Sequence, residues 1–218
     1  NKKNSFGIGL IYLPNNHLSL EYSFKPDFGQ IEQDPSQINL TGYETYYDEK
    51  RPFFTRDKSF FNTPINIFYS KRIGRNIFFE GYNYQTIINN TAKIIGNTNK
   101  GFSYGFLLSE SLIDINENLL DKRIIKTTTS RLTKDILNGN SYIGMMNTNY
   151  YDDIEKSNVF SMDGLINFDK NRFLLDGQIA FSSLNSERGI GTSFEISYKD
   201  KIMPLEKFKF SKNKIIET

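Results

Sequence analysis

Carboxylates, bases, amides and aromatic rings are concentrated between Lys25 and Arg75, at a density that an ordinary surface loop does not need. The segment contains the run KPDFGQIEQDPSQINLTGYETYYDEKRPFF and, after it, FYSKRIGR. Paired carboxylates such as Glu32 with Asp34 are the residue types that serve as acid and base in glycoside cleavage, where their separation in space decides the outcome. Spacing along the chain does not give that separation, and acid pairs are usually solvated or paired with bases.

The bases of the same segment offer a simpler interpretation of its acids. Charge-assisted contacts with lysine and arginine would hold an irregular segment that lacks ladder hydrogen bonds. We therefore predict no catalytic residue and leave open whether the chain is an enzyme. The candidate lumen-lining or ligand-binding residues are Asp27, Glu32, Asp34, Glu44, Tyr46, Glu49, Lys50, Arg51 and Arg72.

Other ligands find weaker support in this segment. A calcium cage of Asp27, Glu32 and Asp34 would suit a hard cation, but the spacing matches no EF-hand loop, so no metal or cofactor is predicted. Tyr43, Tyr46 and Tyr47 offer rings that a sugar could stack on, although three tyrosines near a strand are more often packing residues. The chain has 13 Tyr and 19 Phe but no Trp, which makes the segment a poor candidate for a strong sugar platform.

Composition limits the classes of protein. The 218 residues carry 27 basic and 25 acidic side chains, a net charge of +2, so nothing argues for nucleic acid as a partner. Cysteine is absent, which excludes disulfides and thiolate metal sites. No apolar run is long enough for a membrane-spanning helix.

Alternating side chains predict β-strands along most of the chain. Phe173, Leu175, Ile179 and Phe181 share one face of a strand, because successive side chains point to opposite sides. Similar patterns predict a hairpin over residues 6–24, a strand over 65–69, and a strand over 77–88 that ends in a turn at Asn89 and Asn90. The prediction is one β domain over residues 1–218, an antiparallel meander, with residues 25–75 as an ordered charged insertion.

Two architectures explain this pattern. A soluble antiparallel sandwich or open sheet buries its apolar face in a core. An outer-membrane barrel turns that face toward lipid and lines a lumen with the polar face. Aromatic-rich apolar faces, small or polar opposite faces and long polar connections favour the barrel.

The block from Asp27 to Phe54, together with FYSKRIGR, resembles the signature of an uncharacterised domain family. This family follows a family-9 carbohydrate-binding-like module in large envelope proteins of Gram-negative bacteria. A looser similarity continues through AKIIGNTNKGFSYG and RLTKDILNGNSYIGMMNTN. Tyr46 and Tyr47 replace the family's usual paired phenylalanines, and Phe102 stands where tryptophan is frequent.

The resemblance implies a β-barrel-like domain in the outer membrane that belongs to a longer polypeptide. Its implied partners are outer-membrane lipid, a glycan or polymer ligand, and the carbohydrate-binding-like module of the same chain. The expected function is a channel or anchor linked to surface glycan or polymer binding or uptake. The alternative is a soluble periplasmic or secreted all-β module that binds or hydrolyses glycans.

Overall fold

The computed structural model describes residues 7–26, 46–79, 82–84, 86–114, 122–168, 172–198 and 206–214. Four of the predicted site residues, Asp27, Glu32, Asp34 and Glu44, lie outside these described residues. Tyr46, Glu49, Lys50, Arg51 and Arg72 lie within them, as does the second half of the insertion. We use the term insert for residues 46–75.

Twelve strands make up most of the described chain. They are β1 (Ile8–Asn15), β2 (Leu18–Phe24), β3 (Ile77–Phe79), β4 (Tyr82–Tyr84), β5 (Thr86–Asn97), β6 (Phe102–Asp114), β7 (Lys122–Ile136), β8 (Ser141–Tyr151), β9 (Lys156–Phe168), β10 (Phe173–Leu184), β11 (Glu187–Tyr198) and β12 (Glu206–Lys214). Ten of them form one antiparallel sheet in the order β1-β2-β5-β6-β7-β8-β9-β10-β11-β12, and β3 pairs with β4 in a separate hairpin. The predicted all-β antiparallel meander is confirmed.

Helical structure is confined to short turns. The α-helix α1 (Pro52–Thr55) and the 3₁₀ turns Lys58–Phe61 and Ser70–Arg72 belong to the insert, and a third 3₁₀ turn, Leu137–Gly139, joins β7 to β8. No helix among the described residues has the length and apolar character needed to cross a membrane.

Three details of the predicted strands are wrong. The single strand predicted over residues 77–88 is divided, because β3 pairs with β4 in a hairpin and β5 begins at Thr86. Residues 65–69 form no strand: the Ile65 amide donates to the side chain of Gln178 at 2.5 Å instead of to a ladder partner. Asn89 and Asn90 do not end a strand either, since β5 continues to Asn97 with a register shift between Ile88 and Asn90. A β-bulge accommodates an extra residue in this way without ending the pairing.

The two faces of the large sheet differ in chemistry and in exposure. One face, here called the open face, carries large apolar side chains exposed to solvent: Leu10, Tyr12, Tyr22, Ile94, Phe102, Tyr104, Phe106, Leu108, Leu132, Ile143, Met145, Met162, Ile166, Phe168, Phe181, Ile190 and Phe194. The opposite face, here called the covered face, carries small and polar side chains that are buried: Glu21, Ser23, Thr91, Lys93, Ser109, Ser111, Thr129, Arg131, Thr148, Ser161, Asp163, Gln178, Ser182, Ser193 and Ser197. This distribution is the reverse of a soluble sheet, which buries its apolar face.

The core lies between the covered face and the insert. Phe53, Phe54, Phe61, Ile67 and Ile73 of the insert are buried. They form one cluster with apolar residues of β5, β6, β8, β9 and β10, namely Ile88, Leu107, Met146, Val159 and Ala180. The insert therefore contacts strands at widely separated places in the sheet order.

The outermost strands of the sheet are β1 and β12. Among the described residues no pairing joins these two strands, so the sheet is open rather than closed into a barrel. Membership of the sheet in an outer-membrane barrel remains a prediction.

Candidate functional site: the insert on the covered face

Glu49 and Arg51 form a charged pair within the insert that makes several further hydrogen bonds. The Arg51 guanidinium donates to both carboxylate oxygens of Glu49, at 2.8 Å and 2.7 Å, and to the carbonyls of Ile73 and Ser70 at 2.7 Å and 2.6 Å. The Ser70 hydroxyl donates to Glu49 Oε2 at 2.7 Å, and the guanidinium lies 4.3 Å from the ring centroid of Phe54. One arginine thus connects the start of α1 with the turn Ser70–Arg72.

The carboxyl group of Glu49 is fixed in its ionised form by these contacts. Its side chain is 1% exposed. Burial by itself would raise the pKa of Glu49, but the hydrogen bonds and positive charge of Arg51, with the Ser70 hydroxyl, outweigh burial and lower the pKa below its ordinary value. A paired, ionised carboxylate of this kind serves the structure of the insert and is a poor proton donor for catalysis at neutral pH.

The lowered pKa of Glu49 predicts an acid-sensitive contribution to stability. A carboxyl whose folded pKa is depressed stabilises the protein above its unfolded pKa, here about 4.5, and this stabilisation is lost as the pH falls through the lower folded value. We expect the stability difference between wild type and Glu49→Gln, measured by urea denaturation, to be constant between pH 7 and 6 and to shrink below pH 4.5. A difference independent of pH down to 3 would contradict this assignment.

The other predicted residues of the insert are more exposed. Tyr46 is 54% exposed and stacks on Tyr69, with ring centroids 4.7 Å apart. Lys50 is exposed beside Arg51, and Arg72 ends the turn Ser70–Arg72.

A shallow recess lies at the surface near Tyr46. It is lined by Tyr46, Glu49, Lys58, Asn62, Asn66 and Tyr69. The structure thus brings Tyr46 and Glu49 together. The recess offers a ligand two tyrosine rings, which already stack on each other, and two amides, which is too little to assign a glycan site.

A buried ionic cluster attaches the insert to the sheet. The Lys93 ammonium of β5 donates to the carbonyls of Phe53 and Arg56 at 2.7 Å and 2.8 Å. It lies 3.4 Å from Glu21 Oε1 of β2, and Arg56 Nε lies 3.5 Å from the same oxygen. The Lys93 and Glu21 side chains are only 2% and 3% exposed. We call Glu21, Phe53, Arg56 and Lys93 the anchor cluster. The Lys93 ammonium thus satisfies two carbonyls at the end of α1.

A second buried pair lies further along the covered face. Arg131 of β7 donates to Asp163 Oδ2 of β9 at 2.6 Å, across the intervening strand β8. Gly144 of β8 leaves the space for this contact, because a Cβ there would lie 3.0 Å from Asp163 Oδ1. Both charges are almost completely buried, and such pairs are strongly destabilised when one partner is removed.

Sequence reasoning did not identify the anchor cluster or the Arg131–Asp163 pair. A signal existed: each of the four strand charges follows a serine or threonine two residues earlier on the same face, which is unusual for a solvated charge. The four charges are Glu21, Lys93, Arg131 and Asp163. No metal-binding group of three or more His, Asp or Glu side chains is present within the described ranges.

Aromatic packing against glycine is a further contact between insert and sheet. A Cβ at Gly105 of β6 would lie 2.4 Å from a Phe60 ring carbon and 3.1 Å from Phe61. Gly9 of β1 also lies on the covered face, opposite Ser23, and a Cβ there would meet nothing within 4 Å. The missing side chain at Gly105 therefore makes room for the insert.

The glycine contact provides a test of insert docking. We expect Gly105→Leu to lower the free energy of unfolding by about 1–3 kcal/mol, as overpacking typically does, and to expose the insert to limited proteolysis. Gly9→Leu is the matched control on the same face and should leave both properties unchanged. Equal effects of the two substitutions would show that leucine on this face, rather than displacement of Phe60, causes the change.

These features define a class of protein: an all-β antiparallel meander whose polar face is covered by an inserted segment and whose apolar face is exposed. A family model described as "Domain of unknown function (DUF5916)" matches residues 1–216, and the chain belongs to this family. The searches of curated proteins and of solved structures gave no match.

Proposed function

We propose that the sheet is part of the wall of an outer-membrane β-barrel, with its open face toward lipid and its insert filling the interior. The single observation that carries this proposal is the combination of an exposed apolar face with a buried polar face. In water, such an arrangement exposes many large apolar side chains at once, whereas soluble monomers rarely expose large contiguous apolar patches. In a bilayer the same arrangement is the expected one.

The dimensions of the open face fit a bilayer. On β10 the apolar positions run from Phe173 to Phe181, about 27 Å along the strand at 3.4 Å per residue, which is about 19–22 Å along the membrane normal at the usual strand tilt of about 35–45°. Outer-membrane barrels carry an apolar band about 25 Å tall, flanked by aromatic residues at the interfaces. At one end of the band the Phe173 ring stacks on Phe168 at 4.9 Å and contacts Tyr198 at 4.7 Å, which gives a row of aromatic rings across β9, β10 and β11.

The covered face and the insert support the rest of the proposal. A barrel interior of this kind holds polar and ionic side chains that need partners when water is excluded. The anchor cluster, the Glu49–Arg51 pair and the Arg131–Asp163 pair supply such partners. An interior occupied in this way favours an anchoring or gated domain over an open pore. The glycan or polymer ligand and the attached carbohydrate-binding-like module remain predictions.

Adjacent positions on opposite faces give a direct test. The chain contains no cysteine, so single-cysteine variants can be labelled at one defined position. Ile166 lies on the open face and its neighbour Leu165 on the covered face. We expect a fluorophore on Ile166→Cys in the full-length protein to be quenched by brominated lipids in reconstituted vesicles. The same fluorophore on Leu165→Cys should be quenched much less. Absence of quenching at both positions, or recovery of the protein from cells without detergent, would contradict the proposal.

A further inference from the structure

The open face changes from apolar to polar at one end of its strands, the end at which β2 finishes with Phe24. Thr128, Asn149 and Asn158 occupy neighbouring positions of β7, β8 and β9 there. The Asn149 amide donates to Thr128 Oγ1 at 3.0 Å, and the Asn158 amide donates to Asn149 Oδ1 at 2.5 Å. The Asn149 amide also donates to Asn147 Oδ1 at 2.7 Å, so both of its N–H groups are used. A side-chain amide has two donor and two acceptor positions, so Asn158 supplies most of the capacity of this row to bind hydroxyl groups. The apolar band therefore ends in an ordered polar row.

Three exposed cations surround this row. Lys126 of β7 and Lys156 of β9 are the cross-strand neighbours of Tyr151 on β8, and the Lys156 ammonium lies 5.1 Å from the centroid of that ring. Arg188 of β11 continues the polar row through Ser183 of β10. None of the three cations belongs to an ion pair formed by the described residues. We call Lys126, Thr128, Asn149, Lys156, Asn158 and Arg188 the head-group patch.

One acidic residue limits the patch on its β6 side. Glu110 is the cross-strand neighbour of Lys126, and its Oε1 accepts hydrogen bonds from Asn89 and Asn90 at 3.1 Å and 3.3 Å. Other carboxylates lie at the strand ends: Asp153 and Glu155 in the turn between β8 and β9, and Glu187 next to Arg188 but on the opposite face by alternation. On the open face itself, Glu110 is the acidic cross-strand neighbour and it lies at the β6 side of the patch.

The spacing of the cations restricts the ligand. Lys126 and Lys156 are two strands apart, about 10 Å at the usual strand separation, and Arg188 lies two strands further. Two extended lysine side chains can meet at one phosphate across about 10 Å, whereas Arg188, about 20 Å from Lys126, requires a second anionic group on the ligand. A molecule with separated phosphates on a hydroxyl-rich frame meets both conditions. Phe160 and Phe181 lie next to the patch in the apolar band and would contact acyl chains. The surface thus presents cations for phosphates, amides for sugar hydroxyls and apolar rings for acyl chains, which are the groups of an acylated, phosphorylated sugar.

We propose that the head-group patch binds an anionic glycolipid whose sugar head group carries two or more phosphates. This inference rests on the proposed function, since it requires the apolar band to lie in a membrane. The lipid is recognised through charge-assisted contacts of phosphate with Lys126, Lys156 and Arg188 and through hydrogen bonds of sugar hydroxyls with the amide row.

The test measures lipid binding by the full-length protein in detergent micelles, with a bisphosphorylated, hexa-acylated disaccharide lipid as probe. We expect K126Q/K156Q to weaken binding about 25-fold, roughly fivefold for each cation removed near an anionic lipid surface. The matched control, K100Q/K134Q, removes two cations from the opposite end of the sheet and should bind like wild type. The dephosphorylated form of the same lipid should bind weakly to all three proteins.

Three outcomes would overturn the inference. One is a K126Q/K156Q variant that binds the lipid like wild type. Another is an equal loss in both variants, which would indicate attraction by net charge alone. The third is binding of inorganic pyrophosphate as tight as that of the lipid, which would assign the patch to free phosphates. Lipid quenching at Ile166 is measured separately, so failure of the head-group patch is distinguishable from failure of the membrane assignment.

Discussion

Phe194→Arg is expected to reduce the stability of the full-length protein in lipid vesicles by about 2–4 kcal/mol, the cost of arginine on the lipid face near the bilayer midplane of a barrel. Phe194 is on the open face of β11, 42% exposed and midway between Ile190 and Tyr198. An arginine there removes an aromatic ring from lipid and places a cation where no water solvates it. Urea titrations of folding into phosphatidylcholine vesicles measure the difference.

The control uses the depth dependence of the same substitution. Asn158→Arg places the cation at the polar end of the apolar band, where the cost in a barrel is about 0–1 kcal/mol. In a soluble module both positions would be surface sites, and substitutions there usually change stability by about 0.5 kcal/mol or less. A Phe194→Arg variant as stable as Asn158→Arg would therefore favour the soluble alternative.

The strands of this protein were predictable because their period is visible in short windows. On β10 large apolar residues alternate with Asp176, Gln178 and Ser182, and the structure pairs all twelve residues of this strand with β9 and β11. Where the pairing is irregular, the pattern was misleading. Asn89 and Asn90 are typical turn residues, yet a bulge and the side chain of Glu110 accommodate them inside β5.

The site was predictable only where its members are close in the chain. Glu49 and Arg51 are two residues apart, so their pairing follows from local geometry, whereas the contact of Glu49 with Ser70 spans 21 residues. Glu21 and Lys93 face each other only because β2 pairs with β5 in one register. The alternation of each strand decides which face Glu21 and Lys93 lie on. The sequence between the two residues does not show that β2 and β5 are neighbours, so their contact was not predictable.

The sequence did not decide whether the apolar face of the sheet is buried in a core or exposed. Alternation shows that one face is apolar, but a soluble core and a lipid-facing wall have the same period. The structure adds which face the insert covers. Because Phe53, Phe54 and Phe61 pack on the polar face, they cannot also shield the apolar one.

Lys93→Met is expected to destabilise the protein by about 3–5 kcal/mol, the usual cost of breaking a buried ion pair by removing one partner. Methionine keeps most of the side-chain volume, so the loss reflects the ammonium and not a cavity. The carbonyls of Phe53 and Arg56 lose this donor. Of the cations in the described part of the chain, Arg56, 3.5 Å away, is the one that still pairs with the buried charge of Glu21. Urea denaturation of the full-length protein in micelles measures this cost.

A double variant separates the charge effect from the lost hydrogen bonds. Glu21→Gln together with Lys93→Met removes both buried charges, so its cost should be smaller than that of Lys93→Met alone by 1 kcal/mol or more, although two carbonyls still lack a donor. Lys100→Met, at an exposed position of the turn between β5 and β6, is the control for loss of a lysine and should change stability by about 0.5 kcal/mol or less. If the insert fills a barrel interior, Lys93→Met should also raise ion conductance across planar bilayers, because the insert is then less firmly attached to the wall. A correctly inserted Lys93→Met protein with wild-type conductance would show that this cluster stabilises the fold without controlling access to the interior.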